Sequence, residues 1–287
     1  MELDSGYVTL FLNSAFAKGD FIGGLTLVML FLGRMLPIIA LSPFFGARVL
    51  PHPVKVVFAL TLFVIFLPKL LETTTIPITF NVMSLFLLAK EFFVGFCVGY
   101  IISVPFIIVQ NTGIIIDHQR GGASLMVNDP TIQNQSSPMG TLFNFVLIYL
   151  FFLIDGPFLV IELVGMSYDI IPPDRFINPD FFRKDTAFWA LQMDVLNRVM
   201  VISIQLATPA LLIMLMTDLF LGIANRLAPQ VQITFLGMAL KSLLGLGIVC
   251  LGWYLFLEEV NRDSYRWIYT VREMLNMFKP SISVPSP

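Results

Sequence analysis

Residues 114–135 read IIIDHQRGGASLMVNDPTIQNQ. Upstream, Phe92 to Ile116 carries no charged residue; downstream, Gly140 to Ile154 carries none either. An Asp, a His, an Arg, paired glycines and an Asp-Pro step thus interrupt two membrane-grade segments. Asp117 and Arg120 stand at i and i+3, where they can pair on a helix. His118 points elsewhere, and no nucleophile with an orienting partner stands beside them. Gly121 and Gly122 end or loosen the helix, and Asp129-Pro130 opens a turn. The stretch therefore predicts a helix end followed by a polar loop between two apolar arms. Such a loop suits a gate or plug better than a catalytic centre.

The rest of the chain is as oily as those arms. Of 287 residues, 57% are hydrophobic and 13% charged, with a mean hydropathy of +0.85. Soluble domains carry about 25% charged residues, so the class is a polytopic, all-α membrane protein. A net charge of −2 offers no basic surface for nucleic acid. Two Cys, Cys97 and Cys250, both lie in apolar runs and read as unpaired core thiols. Two His and two Cys are too scattered for a metal site. No cofactor motif is present either. The N-terminal MELDSGY lacks the basic start of a signal peptide.

A spanning helix needs roughly 20 apolar residues. Six stretches are long enough: about 21–45, 54–71, 83–116, 140–164, 199–224 and 231–257. The third is too long for one simple crossing and contains Pro105. The fourth is interrupted by Asp155-Gly156-Pro157. One membrane domain, 1–287, follows, in four parts. Residues 1–166 hold the first hairpins and the polar loop. Residues 167–198 form a polar loop with a short amphipathic helix N-capped by Asp185. Residues 199–257 form a C-terminal hairpin, and 258–287 a charged tail. The tail's Arg262, Arg266, Arg272 and Lys279 favour a cytoplasmic C-terminus.

Arg34, Asp218, Arg226 and Lys241 lie inside or at the edge of apolar runs. A charge at the bilayer centre costs at least ~2.5–3.5 kcal/mol. Arg34 and Lys241, mid-span, are therefore expected to find buried polar partners; Arg226, near a span end, is balanced between that and snorkelling. Gly95 and Gly99 make a GxxxG that Ser103 extends by a turn, which reads as close helix packing within the chain. The EEVNR at 258–262 has the look of an intramembrane protease motif, but no His follows residue 118 and the Arg spacing is short by one. It reads as a helix entering water.

Three blocks together resemble one family. IDHQRGGASLMVNDP resembles the signature of the T component of type III secretion export gates, the family that includes flagellar FliR. GRMLPIIALSPFFGARVLPHPVKVVFALTL, residues 33–62, resembles its first hairpin. LATPALLIMLMTDLFLGIANRLAPQVQITFLGMALKSLLGL, residues 206–246, resembles its last, through Pro209, Asp218, the Gly222…Arg226 step and Pro229-Gln230. The Asp-x-Gln-Arg-Gly form resembles the injectisome branch. The flagellar Gly-Phe-Pro is Gly-Met-Ala here, Gly237 to Ala239.

The resemblance implies a conduit subunit rather than an enzyme. It implies assembly with R and S components in the basal-body ring, with the U switch component near the C-terminus. Unfolded proteins pass through the complex, and membrane lipid surrounds part of it. It also implies a plug formed by the loop near 121–139. In that reading Gly121 and Gly122 give backbone freedom, Leu125, Met126 and Met139 make soft apolar contacts, and Asp117, Gln119 and Arg120 sit at the base, with Asp129 and Pro130 in the turn. Arg34, Asp218, Arg226, Pro229, Gln230 and Lys241 are expected at buried or partner contacts. The alternative is a secondary transporter or channel using Arg34, Asp117, Asp218 and Lys241 as an ion path; the repeat halves common in transporters are not seen.

Overall fold

A computed structural model describes residues 21–45, 51–74, 80–121, 137–176, 187–227, 233–260, 262 and 266–267. All regular structure among them is helical: α1 (Phe21–Leu41), α2 (His52–Thr73), α3 (Val82–Gln119), α4 (Pro138–Leu153), α5 (Gly156–Ile170), α6 (Ala187–Leu227) and α7 (Ile233–Leu251), with a 3-10 turn at Pro43–Phe45. A further helix, α8 (Trp253–Val260), follows α7 at a bend of 62°. Among the described residues, four helices are long and apolar enough to cross a membrane, or up to six if each broken pair counts as one span.

The helix limits follow from local chemistry. Pro53 sits in the first turn of α2, where its missing N–H costs nothing. The helix ends where Thr74 donates both its N–H and its hydroxyl to the Leu70 carbonyl. α4 starts at Ser137, whose Oγ accepts the Gly140 N–H at 2.9 Å, with Pro138 in the first turn. Between α4 and α5, Asp155 has φ 55° and ψ 28°, a left-handed conformation that halts one helix and starts the next.

Two expectations change. The amphipathic segment after 185 is not a separate short helix; it is the first part of α6, 41 residues long. No helix breaker separates Ala187 from the apolar run, so one ladder of hydrogen bonds continues through both. Asp185 lies outside the described residues. The sixth stretch is likewise not one helix, since it breaks at Gly252.

The chain groups into two compact units. Residues 1–103, 155–190 and 268–287 form one, and 104–154 with 191–267 the other. In the first, α1 packs on α2 and α2 on α5. Its core is aromatic: Phe31 meets Phe63 edge-on at 5.5 Å and stacks on Tyr168 at 6.0 Å. The second unit's core contains Phe106 against Phe151 and Phe143 against Phe256.

Candidate functional site: the base of the 122–136 segment and the buried charges

The last turn of α3 and the first turn of α4 hold the two ends of the polar segment together. Asp117 is buried near the end of α3. One carboxylate oxygen accepts the Ser137 hydroxyl and, at 3.0 Å, the Met139 N–H. That places a negative charge on the N-terminus of α4, where free N–H groups and the helix dipole favour it. The other oxygen meets Arg120 at 2.6 Å, the i,i+3 pair expected from sequence. One turn earlier, Gly113 and Gly140 bring the backbones together. A Cβ on Gly113 would lie 2.6 Å from the Met139 carbonyl carbon, and one on Gly140 would lie 2.8 Å from the Gln110 oxygen. α3 ends by hydrogen bonds from Arg120 N–H to Ile116 and from Gly121 N–H to His118. Gly121 has φ +90°, a conformation that favours glycine. His118 is exposed, Gln119 half-buried.

Met139 was expected in the loop and is not there. It lies in α4 and is buried, because Ser137-Pro138 starts the helix two residues earlier than the plug boundary assumed. Gly122, Leu125, Met126, Asp129 and Pro130 lie outside the described residues, as do Pro229 and Gln230.

A second polar cluster lies in the first unit. Arg34 and Glu91 are fully buried. Nε of Arg34 meets Oε2 of Glu91 at 2.5 Å and Nη2 meets Oε1 at 2.8 Å, a bidentate pair. Arg34 also donates to Ser167 Oγ at 3.0 Å and to the Ile171 carbonyl at 2.7 Å, and its guanidinium lies 3.9 Å from the centre of the Tyr168 ring. Lys90 meets Oε1 of Glu91 at 2.6 Å. It also donates to the carbonyls of Pro172, Pro173 and Arg175 at 2.8, 3.3 and 3.0 Å. Two cations on α1 and α3 thus grip the turn that follows α5.

Gly95 and Gly99 make that grip possible. A Cβ on Gly95 would lie 2.8 Å from the Arg34 carbonyl carbon, and one on Gly99 would lie 2.9 Å from the Ile38 Cα. The GxxxG is the contact line between α3 and α1, as its packing reading expected. Ser103, buried, donates to the Tyr100 carbonyl of its own helix at 2.7 Å.

Lys241 finds its partner in Asp218, across the α6–α7 hairpin. Arg226 is exposed, at the last turn of α6. Glu91, Lys90, Ser137, Gly113 and Gly140 were not singled out from sequence. The signal was present for Glu91: it stands four residues before Gly95, on the same stripe. Ser137-Pro138 is likewise an N-cap followed by Pro at the first helical position. Chemically, these groups hold helix ends and turns in place.

Residues 25–266 match the family model described as bacterial export proteins, family 1. The secretion system apparatus protein SsaT of Salmonella typhimurium is 31% identical over 160 residues, 55% of this chain and 59% of that protein. The Yop proteins translocation protein T of Yersinia pestis is 31% identical over 157 residues, 54% of this chain and 58% of that protein. The flagellar biosynthetic protein FliR of Pectobacterium carotovorum is 29% identical over 219 residues, 76% of this chain and 80% of that protein. The chain thus spans about three-fifths of the length of the first two relatives, whose matches cover 59% and 58% of them.

Proposed function

The chain belongs to the bacterial export proteins, family 1, the type III secretion and flagellar T-component family, and from that premise we propose that it is a core subunit of an injectisome export gate in the bacterial inner membrane. In this reading it is a multi-pass protein that forms, with R and S components, the pore through which unfolded proteins leave the cell. It is a structural conduit and not an enzyme. Its C-terminal tail faces the cytoplasm, close to the U switch component.

The observation that carries the mechanism is the double attachment at Asp117. One carboxylate joins the end of α3 to the start of α4. The two helix ends that flank residues 122–136 are thereby held on one base, which is what a plug would require. Arg120 offsets the charge that Asp117 brings into that base.

Three experiments test the proposal. Deleting Ala123–Gln135 is expected to raise small-molecule leakage while leaving assembly intact, and unchanged permeability would sink the plug assignment. Purification in mild detergent is expected to bring two small apolar partner chains with the protein. A lone monomer that binds a solute would instead indicate a transporter. Replacing Arg120 with Ala is expected to weaken secretion; wild-type export would refute its role at the base.

A further inference from the structure

Asp218 and Lys241 form an ion pair between α6 and α7, with side chains 42% and 20% exposed. Lys241 sits eight residues into the 19-residue α7, near its middle. At 1.5 Å per residue it lies about 12 Å from the start of that helix. A helix of this length is about as long as the hydrocarbon core is thick, about 30 Å. The pair therefore lies far from either end of the hairpin arm that holds it.

Neither common solvent suits this place. Lipid would leave a half-exposed carboxylate among acyl chains, at a cost of ~2.5–3.5 kcal/mol for a charge at that depth. Water would face a broad apolar belt: Leu215, Leu219 and Ile223 are each more than half exposed on α6. The surface beside Asp218 is also open. Leu215, Leu219 and Gly222 recur at i, i+4 and i+7, which places them in one stripe, and a Cβ on Gly222 would meet nothing within 4 Å. The opposite flank of α6 is used within the chain: a Cβ on Gly237 would lie 3.0 Å from Leu221 Cδ1, and one on Gly245 would lie 3.1 Å from Met214 Sδ.

We propose that the Asp218–Leu219–Gly222 face of α6 is a docking surface for an apolar helix of a partner subunit, and that this helix carries one hydrogen-bond donor reaching the Asp218 oxygen not taken by Lys241. The apolar stripe supplies packing, Gly222 lets the backbones approach, and the carboxylate fixes the register of the incoming helix. Lys241 holds the Asp218 carboxylate in place. The proposal rests on the reading of the chain as one subunit of a membrane assembly.

The test uses the full-length chain in bacteria that carry the whole export apparatus. A photo-crosslinking amino acid replaces Leu219, and adducts are identified by mass spectrometry. The expected result is one discrete adduct with another integral subunit, reduced roughly tenfold by Asp218→Ala, the equivalent of about 1.4 kcal/mol of contact energy. The charge swap Asp218→Lys with Lys241→Asp keeps an ion pair but moves the acceptor, so it is expected to leave accumulation intact and still lose the adduct. Adducts with lipid alone, or with this chain's own residues, would overturn the proposal. So would labelling of Leu219→Cys by a membrane-impermeant thiol reagent, which would mean a wet lumen, or an adduct indifferent to both changes at Asp218. The Leu219 probe in the otherwise unaltered chain gives a result even if the charge variants fail to accumulate. Co-purification is scored separately. A chain that co-purifies with export subunits yet crosslinks only to lipid refutes the docking face alone; one that co-purifies with none refutes the wider reading as well.

Discussion

Replacing Glu91 with Ala should destabilise the first unit more than any other single truncation of a side chain there. Glu91 accepts three charged contacts, from Arg34 Nε at 2.5 Å, Arg34 Nη2 at 2.8 Å and Lys90 at 2.6 Å, with no exposure to solvent. Removing it strands two cations. Breaking a buried pair from one side costs about 3–5 kcal/mol, because the surviving charge is left uncompensated. With roughly 2–4 °C of melting shift per kcal/mol for domains of this size, the loss is about 6–20 °C. The two cations also hold the carbonyls of Ile171, Pro172, Pro173 and Arg175, so the turn after α5 should loosen at the same time. Thermal unfolding of the purified protein in detergent measures this. Glu91→Gln, which keeps the acceptor oxygen but not the charge, should fall between wild type and Ala. The triple change Arg34→Met, Lys90→Met, Glu91→Leu removes every stranded charge and should recover most of the loss, but not the anchoring of the turn. If Glu91→Ala melts within about 2 °C of wild type, a shift worth less than about 1 kcal/mol, or if the triple variant is no better than the single one, the reasoning from uncompensated charge is wrong.

Gly95→Ala should cost about 1–3 kcal/mol, since its Cβ meets the Arg34 backbone, which has no rotamer to give; Gly33→Ala meets the Leu88 side-chain tip instead and should cost less, both read from the same melts. Ser137→Ala removes the α4 cap and one of the donors to Asp117, for a loss of about 1 kcal/mol; faster amide exchange in the first turn of α4 would confirm it, and unchanged exchange would argue that Asp117 alone holds that turn. At Asp155, φ 55° predicts that Gly is neutral or slightly stabilising, whereas Val loses about 1–2 kcal/mol; equal melting of the two variants would show that the left-handed turn is not retained.

How much of this was legible in the sequence depended on distance along the chain. The Asp117–Arg120 pair was readable because i,i+3 geometry is local. The break at Asp155-Gly156-Pro157 was readable because its residues disfavour a continuous helix. Arg34 was correctly expected to be buried with a polar partner, yet Glu91 stands 57 residues away, and nothing local connects them. The role of residues 171–175 was beyond sequence altogether, because they act through backbone carbonyls and every residue has one. The Asp218–Lys241 pair lay between these cases. Asp218 stands nine residues before the end of α6 and Lys241 eight after the start of α7, so the near-symmetry of the two arms would have matched them. Met139 was misplaced because the loop bounds came with the resemblance and ran past the Ser137-Pro138 cap that puts it in a helix.

The contrast between α2 and α6 shows what the exposed apolar surface means. α2 exposes Val57, Val64 and Ile65, each more than half exposed; of its two cations, Lys55 in the first turn is buried and Lys69 near the end pairs with Asp169. Such a face is compatible with acyl chains as it stands. α6 exposes a similar apolar belt, but that belt runs beside a half-exposed carboxylate and an open glycine. Burial of the first face would add only packing, whereas burial of the second would also satisfy a charge that lipid cannot. The charges of Arg34 and Lys90 are completed by the chain itself, through Glu91, Ser167 and the 171–175 carbonyls. Those at the α6–α7 seam are completed only in part. The half-exposed Lys69–Asp169 pair stands near the ends of α2 and α5, whereas Asp218 stands nine residues before the end of α6 beside an apolar belt, and it is this placement that the proposed partner helix would answer.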